Sequence, residues 1–178
     1  SLGIHLPMEL NSCENIKYIR KSWIDFINKI EDGLKDLNIE YFNMHLGYVI
    51  SERLYKNRMK YLDNSVSFFE ELLKVSNKRL SIENTYSKNG DFSNIGYICD
   101  DFEYIFNKIK SQNLYFCYDT GHNLINNSDY ISNLNDRLEI IHLSDNNGID
   151  DSHLGIGRGI LHENEIKKLL SVNAKYLI

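Results

Sequence analysis

Eight residues of this sequence carry the chemistry worth following: the imidazoles of His5, His45, His122, His142 and His153, and the carboxylates of Glu83, Asp119 and Asp151. Imidazole nitrogen together with carboxylate oxygen suits Zn²⁺, Mn²⁺ or Fe²⁺ far better than Ca²⁺, which takes oxygen alone. Any one of these residues has a simpler use as a hydrogen-bonded polar group, a helix cap or an Asx turn. As a set they read differently. Buried acids crowded together raise one another's pKa unless a cation lies between them.

Their placement relative to the elements is what would gather them. Leu2–Leu6 is a strand-like run stopped by Pro7, with His5 near its end. Ile16, Ile19, Trp23, Phe26, Ile30, Leu34 and Leu37 recur at three- and four-residue steps and predict one face of a helix over residues 14–37. Residues 39–46 form the next strand and end beside His45. Met59, Leu62, Val66, Phe69 and Leu73 mark a second helix, and residues 80–84 a strand containing Glu83. The polar stretch 87–93 reads as a loop, and Asp100 as the N-cap of a helix through Ile109. Residues 114–118, 138–143 and 174–178 complete the strands, with a short helix expected over 130–134 and another through Ile166, Leu169 and Leu170. Asp119 and His122 follow the fourth strand, His142 sits late in the fifth, and Asp151 and His153 lie in the loop after it. Only His162 has no such placement, and it reads as a surface residue.

Strands and helices alternating in this way predict parallel strands joined by helical crossovers. An open dinucleotide-binding sheet would carry a glycine-rich first turn, which is missing here; Gly155-x-Gly157-x-Gly159 comes after the fifth strand and opens no helix in the required way. A parallel (β/α) barrel of TIM type remains, and such barrels present every strand's C-terminal end on one face. The apolar fraction of 42% excludes a disordered segment, and a net charge of −5 leaves no basic footprint for nucleic acid. No apolar run approaches the ~20 residues of a membrane span. Cys13, Cys99 and Cys117 are scattered and odd in number, which fits a reducing cytoplasm and not a disulfide framework.

The strings Glu83-Asn84-Thr85, Asp119-Thr120-Gly121-His122 and His142-Leu143-Ser144-Asp145-Asn146, with Asp151-x-His153 and a Gly-x-Gly behind them, resemble the xylose-isomerase-like barrel superfamily. That group holds sugar-phosphate isomerases and epimerases together with the endonuclease IV family. The resemblance implies that Glu83, Asp119 and His142 are central metal ligands. It implies that His5 and His45, with Glu83 bridging, match a second metal position, and His122, Asp151 and His153 a third. By the same likeness residues 1–178 are one domain truncated at both ends, with about six of eight strands and without the glutamate expected at the end of a seventh. An incomplete barrel exposes unpaired strand edges, so a longer chain or a homo-oligomeric partner is expected to cover them, the longer chain being preferred.

Three functions follow from the resemblance. The leading one is a divalent-metal-dependent isomerase or epimerase acting on a small sugar or sugar phosphate. There the metal stabilises an enediolate and a carboxylate, either Glu83 or the glutamate expected at the end of the seventh strand, shuttles the proton, while His45, His122, Arg158 and Asn84 orient the substrate. The alternative is a zinc-dependent nuclease at abasic DNA sites. Against it stand the acidic charge and the loops after Glu83, His142 and His5, which lack the nucleases' Ala-Gly, Ser-Arg and duplex-probing features. The third is a non-catalytic remnant that binds a metabolite.

Overall fold

A computed structural model describes residues 2–178. In chain order the elements are β1 (Leu2–His5), α1 (Lys17–Gly33), β2 (Ile39–His45), β3 (Tyr48–Ile50), α2 (Ser51–Val75), β4 (Arg79–Glu83) and β5 (Phe92–Asn94). They continue as α3 (Cys99–Lys108), β6 (Leu114–Asp119), α4 (Thr120–Ile125), α5 (Tyr130–Leu134), β7 (Leu138–His142), α6 (Glu163–Ser171) and β8 (Tyr176–Leu177).

Six strands form one sheet in the order β1-β2-β4-β6-β7-β8, and every pairing is parallel. Each strand therefore lies beside the one that precedes it in the sheet. A doubly wound sheet would reverse its order at a switch point; this one does not, and it is the open wall of an incomplete TIM barrel. The main core lies between sheet and helices, with Phe42, Phe68, Phe69, Leu72, Phe102, Ile105, Phe116 and Tyr130 wholly or almost wholly buried. On the concave side a smaller cluster of Tyr41, Cys117 and Ile140, with Tyr176 against it, forms a floor beneath the strand ends. No helix of the described residues is long and apolar enough to cross a membrane.

Several local expectations need correction. The inward face of α1 is set by Ile24 and Ile27, with Trp23, Ile30 and Leu34 partly buried, whereas Ile16 and Leu37 lie exposed beyond the helix ends. Two neighbouring apolar stripes run along this segment, and only the packing against the sheet chooses between them. Helix α2 starts well before Met59, which is exposed, and kinks at Asn57 (φ −139°, ψ 32°). Ile98, not Asp100, holds the N-cap position of α3, and no side chain among the described residues caps it. Asp100 and Asp101 occupy its first turn instead, where negative charge meets the positive end of the helix dipole. The stretch read as a loop contains part of β5, which pairs antiparallel with β3 as a small flap. Strands of three residues are too short to show a period, so the pairing itself defines them.

Candidate metal centre

The centre is built on Glu83, the last residue of β4, which is 2% exposed. Its neighbours in the sheet bring their own terminal residues to the same rim: His5 from β1, His45 from β2, Asp119 from β6 and His142 from β7. His5 Nε2 lies 3.1 Å from Glu83 Oε2, and His142 Nδ1 lies 3.2 Å from Oε1. His45 Nε2 and His122 Nδ1 approach Oε1 at 3.6 and 3.5 Å. Asn43 completes the shell by donating its side-chain N–H to Oε2. Four imidazoles thus face one carboxylate.

Local sequence explains how the other groups reach it. The Asp119 carboxylate accepts the backbone N–H of His122 at 2.8 Å, so it caps the short helix α4 and turns His122 inward. Gly121, in the first turn of α4, lets Ser144 Oγ and Asp119 Oδ1 pack close, since a Cβ there would crowd both. Asp145 carries the following loop. It is buried, and its carboxylate accepts backbone N–H groups from Asn146 (2.9 Å), Gly157 (3.0 Å), Gly159 (2.8 Å) and Leu161 (2.9 Å). Those bonds fix both ends of the segment that bears Asp151 and His153.

Asp151 Oδ2 stands 3.3 Å from His122 Nε2 and 3.3 Å from His153 Nε2. His153 is largely exposed, has a left-handed backbone (φ 45°), and joins the cluster through Asp151. The central residues are in closer contact. Donor atoms of His5, His45 and Glu83 lie mutually within 4.8 Å, as do those of Glu83, Asp119 and His122, and those of Glu83, Cys117 and His142. Glu83 is common to all three groups. His142 Nδ1 is also 3.8 Å from Asp119 Oδ2.

The electrostatics follow from this crowding. Burial alone would raise the Glu83 pKa, but the imidazoles of His142, His45 and His5 hold it well below the usual carboxylate range. Burial raises Asp119, opposed by His122 and reinforced by the Glu83 charge. Burial would lower His122, yet Asp151, Asp119 and Glu83 push it up to about 9. His5 is raised against its own burial, chiefly by Glu83. Asp151 is lowered, above all by His122.

The chemistry of the donors fits a divalent cation. His5 Nδ1–H is 2.7 Å from the Leu6 carbonyl and His122 Nδ1–H is 2.8 Å from the Asn84 carbonyl. Those bonds turn each Nε2 toward a carboxylate, the arrangement by which backbone acceptors orient metal-bound histidines. In addition, His45 Nε2 and Asp151 Oδ1 are buried without a hydrogen-bond partner among the described residues. Orphaned buried donors and acceptors carry a desolvation cost that coordination would relieve.

Of the two residues expected to contact substrate, one is buried and one exposed. Asn84 is fully buried, and its side chain clamps the Asp119 backbone, accepting its N–H at 2.7 Å and donating to its carbonyl at 2.9 Å. It braces β6 from within the core. Arg158 is exposed on the Asp145-anchored loop, and no contact among the described residues ties its guanidinium to the cluster. His162, expected at the surface, is exposed and caps α6 by accepting the Asn164 N–H. Conversely, Asn43 and Cys117 were not anticipated. Each lies two positions before a candidate ligand on its strand, so the period of two was the signal that would have placed them on the ligand face.

Comparison with known proteins places this geometry. A family model described as xylose isomerase-like TIM barrel matches residues 2–175. The chain belongs to that family. Within the xylose isomerase-like barrels, a solved structure described as a D-tagatose 3-epimerase-like protein is 26% identical, with a TM-score of 0.82 over 99% of this chain and 69% of that one. An uncharacterised protein of Methanocaldococcus jannaschii is 28% identical over 178 residues, 98% of this chain and 68% of its own length. A probable endonuclease 4 of Finegoldia magna is 25% identical over 177 residues, 91% of this chain and 61% of its own length. The chain therefore spans roughly three fifths to two thirds of the length of these curated relatives.

Proposed function

We propose that this chain forms the metal-binding part of a divalent-metal-dependent sugar or sugar-phosphate epimerase or isomerase. The observation that carries the reading is the buried, ionised Glu83 surrounded by His5, His45, His122 and His142. Glu83, Asp119 and His142 would hold the ion, with His5 and His45 on one side and His122 and Asp151 on the other. Bound there, a cation such as Zn²⁺, Mn²⁺ or Fe²⁺ supplies Lewis-acid stabilisation of negative charge developing on adjacent substrate oxygens. A carboxylate, Glu83 in this chain, would shuttle the proton to and from a substrate carbon. His45, whose buried Nε2 has no hydrogen-bond partner among the described residues, and His122 would orient hydroxyl or phosphate oxygens. The likeness to an epimerase-like structure supports the same chemical class.

A second reading, zinc-dependent cleavage at abasic DNA, is favoured by the Asp151 bridge between His122 and His153 and by the likeness to a probable endonuclease 4. The net charge of −5 weighs against it, since nucleic-acid sites carry basic surface. The deciding experiment is metal analysis of protein purified without chelator, followed by two assays. One follows epimerisation of ketoses and ketose phosphates, and the other follows nicking of an abasic-site oligonucleotide. About one equivalent of metal and sugar turnover supports the proposal; nicking without sugar turnover replaces it with the nuclease. Less than about half an equivalent of metal sets aside both enzymes.

A further inference from the structure

One rung of the sheet carries more than the expected ligands. In register, His45 pairs with Glu83, Glu83 with Cys117, and Cys117 with Ile140, so the four sit side by side across β2, β4, β6 and β7. Residues paired in register across parallel strands point to the same face of the sheet, and residues two apart on one strand share that face. Cys117 therefore faces the concave side with Asp119, one step deeper. There it forms part of the floor with Tyr41 and Ile140, and it is fully buried. Its Sγ, a Glu83 carboxylate oxygen and a His142 ring nitrogen lie within 4.8 Å of one another. The other two cysteines lie elsewhere: Cys13 Sγ is engaged by Asn11 and Cys99 Sγ by Asn133.

We propose that Cys117 is a metal donor, and that Glu83, Cys117 and His142 form an inner position that takes thiophilic divalent ions. This deepens the metal-centre reading above and rests on it. Donors sharing a tetrahedral ion at ~2.0–2.3 Å stand roughly 3.3–3.8 Å apart, so the group closes with movements of about an ångström. On binding, the S–H bond breaks, a sulfur–metal bond forms through the same electron pair, and the proton passes to solvent. Nothing is oxidised or reduced. A carboxylate and an imidazole alone admit Mn²⁺ and Fe²⁺ as well as Zn²⁺; a thiolate tilts the preference further toward Zn²⁺, Co²⁺ and Cd²⁺.

Absorption spectroscopy of the Co²⁺-loaded chain tests this without reference to turnover. Visible ligand-field bands report bound Co²⁺, and a near-ultraviolet sulfur-to-cobalt charge-transfer band reports the thiolate. The expected result is both features in the unaltered protein and in the Cys13→Ser/Cys99→Ser variant, where Cys117 is the one remaining thiol. Cys117→Ser should keep the visible bands, lose the near-ultraviolet band, and bind Cd²⁺ about tenfold or more weaker while Mn²⁺ affinity changes little. Visible bands without the charge-transfer band overturn the Cys117 assignment and leave the metal centre standing. No bound Co²⁺ at all overturns both. If Cys117→Ser fails to fold, the Cys13→Ser/Cys99→Ser variant decides alone, since absence of the band there refutes the assignment.

Discussion

Glu83 Oε1 and His142 Nδ1 stand 3.2 Å apart although 59 positions separate them in the chain. Glu83 is also the residue common to every close donor group in the centre. Glu83→Gln is therefore expected to weaken metal binding by about 100-fold, toward the upper end of what loss of a supporting group costs. Isothermal titration with Zn²⁺ measures it; a change of less than a few-fold would show that the ion is held elsewhere.

Metal-free protein should lose stability as pH rises. His122 is raised to about 9 in the fold from an ordinary value near 6.5, so the protonated imidazole favours the folded state. This contribution is fully present below ~6.5 and is lost as pH climbs through about 9. Thermal melts of chelator-treated protein should fall between pH 6.5 and 9.5. With metal bound the trend should weaken or reverse over the same range, because ligands must shed protons to coordinate. Parallel curves with and without metal would contradict a role for His122 at the centre.

Asp145 is expected to matter for order in the loop more than for the sheet. Asp145→Ala strands four backbone N–H groups and should cost about 2–3 kcal/mol, with water satisfying part of the loss. Limited proteolysis should then cut within residues 147–160, near Asp151 and His153, before the strands are attacked. Asp145→Asn should be milder. Unchanged protease resistance in the alanine variant would refute the anchoring role.

Arg58 and Asp101 form a two-pronged pair between α2 and α3, at 2.7 and 2.6 Å, and Asp101 also accepts the Gly96 N–H at 2.8 Å. Asp101 is buried. Asp101→Ala leaves the guanidinium half-buried without its partner, and is expected to lower stability by about 3–5 kcal/mol. Urea denaturation measures the loss, and metal affinity per folded molecule should stay unchanged.

The sequence by itself determined the strand–helix alternation and the residues that end the strands, because both are local: apolar period marks the elements, and His5, His45, Glu83, Asp119 and His142 follow directly from where each run stops. It also carried the family, through short strings around Glu83, Asp119 and His142. Tertiary structure decided what those residues do to one another. Stagger between strands placed Glu83 level with Cys117 while Asp119 fell level with His142, and so brought an unconsidered thiol into the centre. It showed Asn84 clamping the Asp119 backbone, since only the neighbouring strand's position shows which backbone groups a buried amide satisfies. It also revealed the β3–β5 flap and the inward face of α1, which depend on partners distant in sequence. Register and burial are properties of strands packed together, and a single run of residues does not contain them.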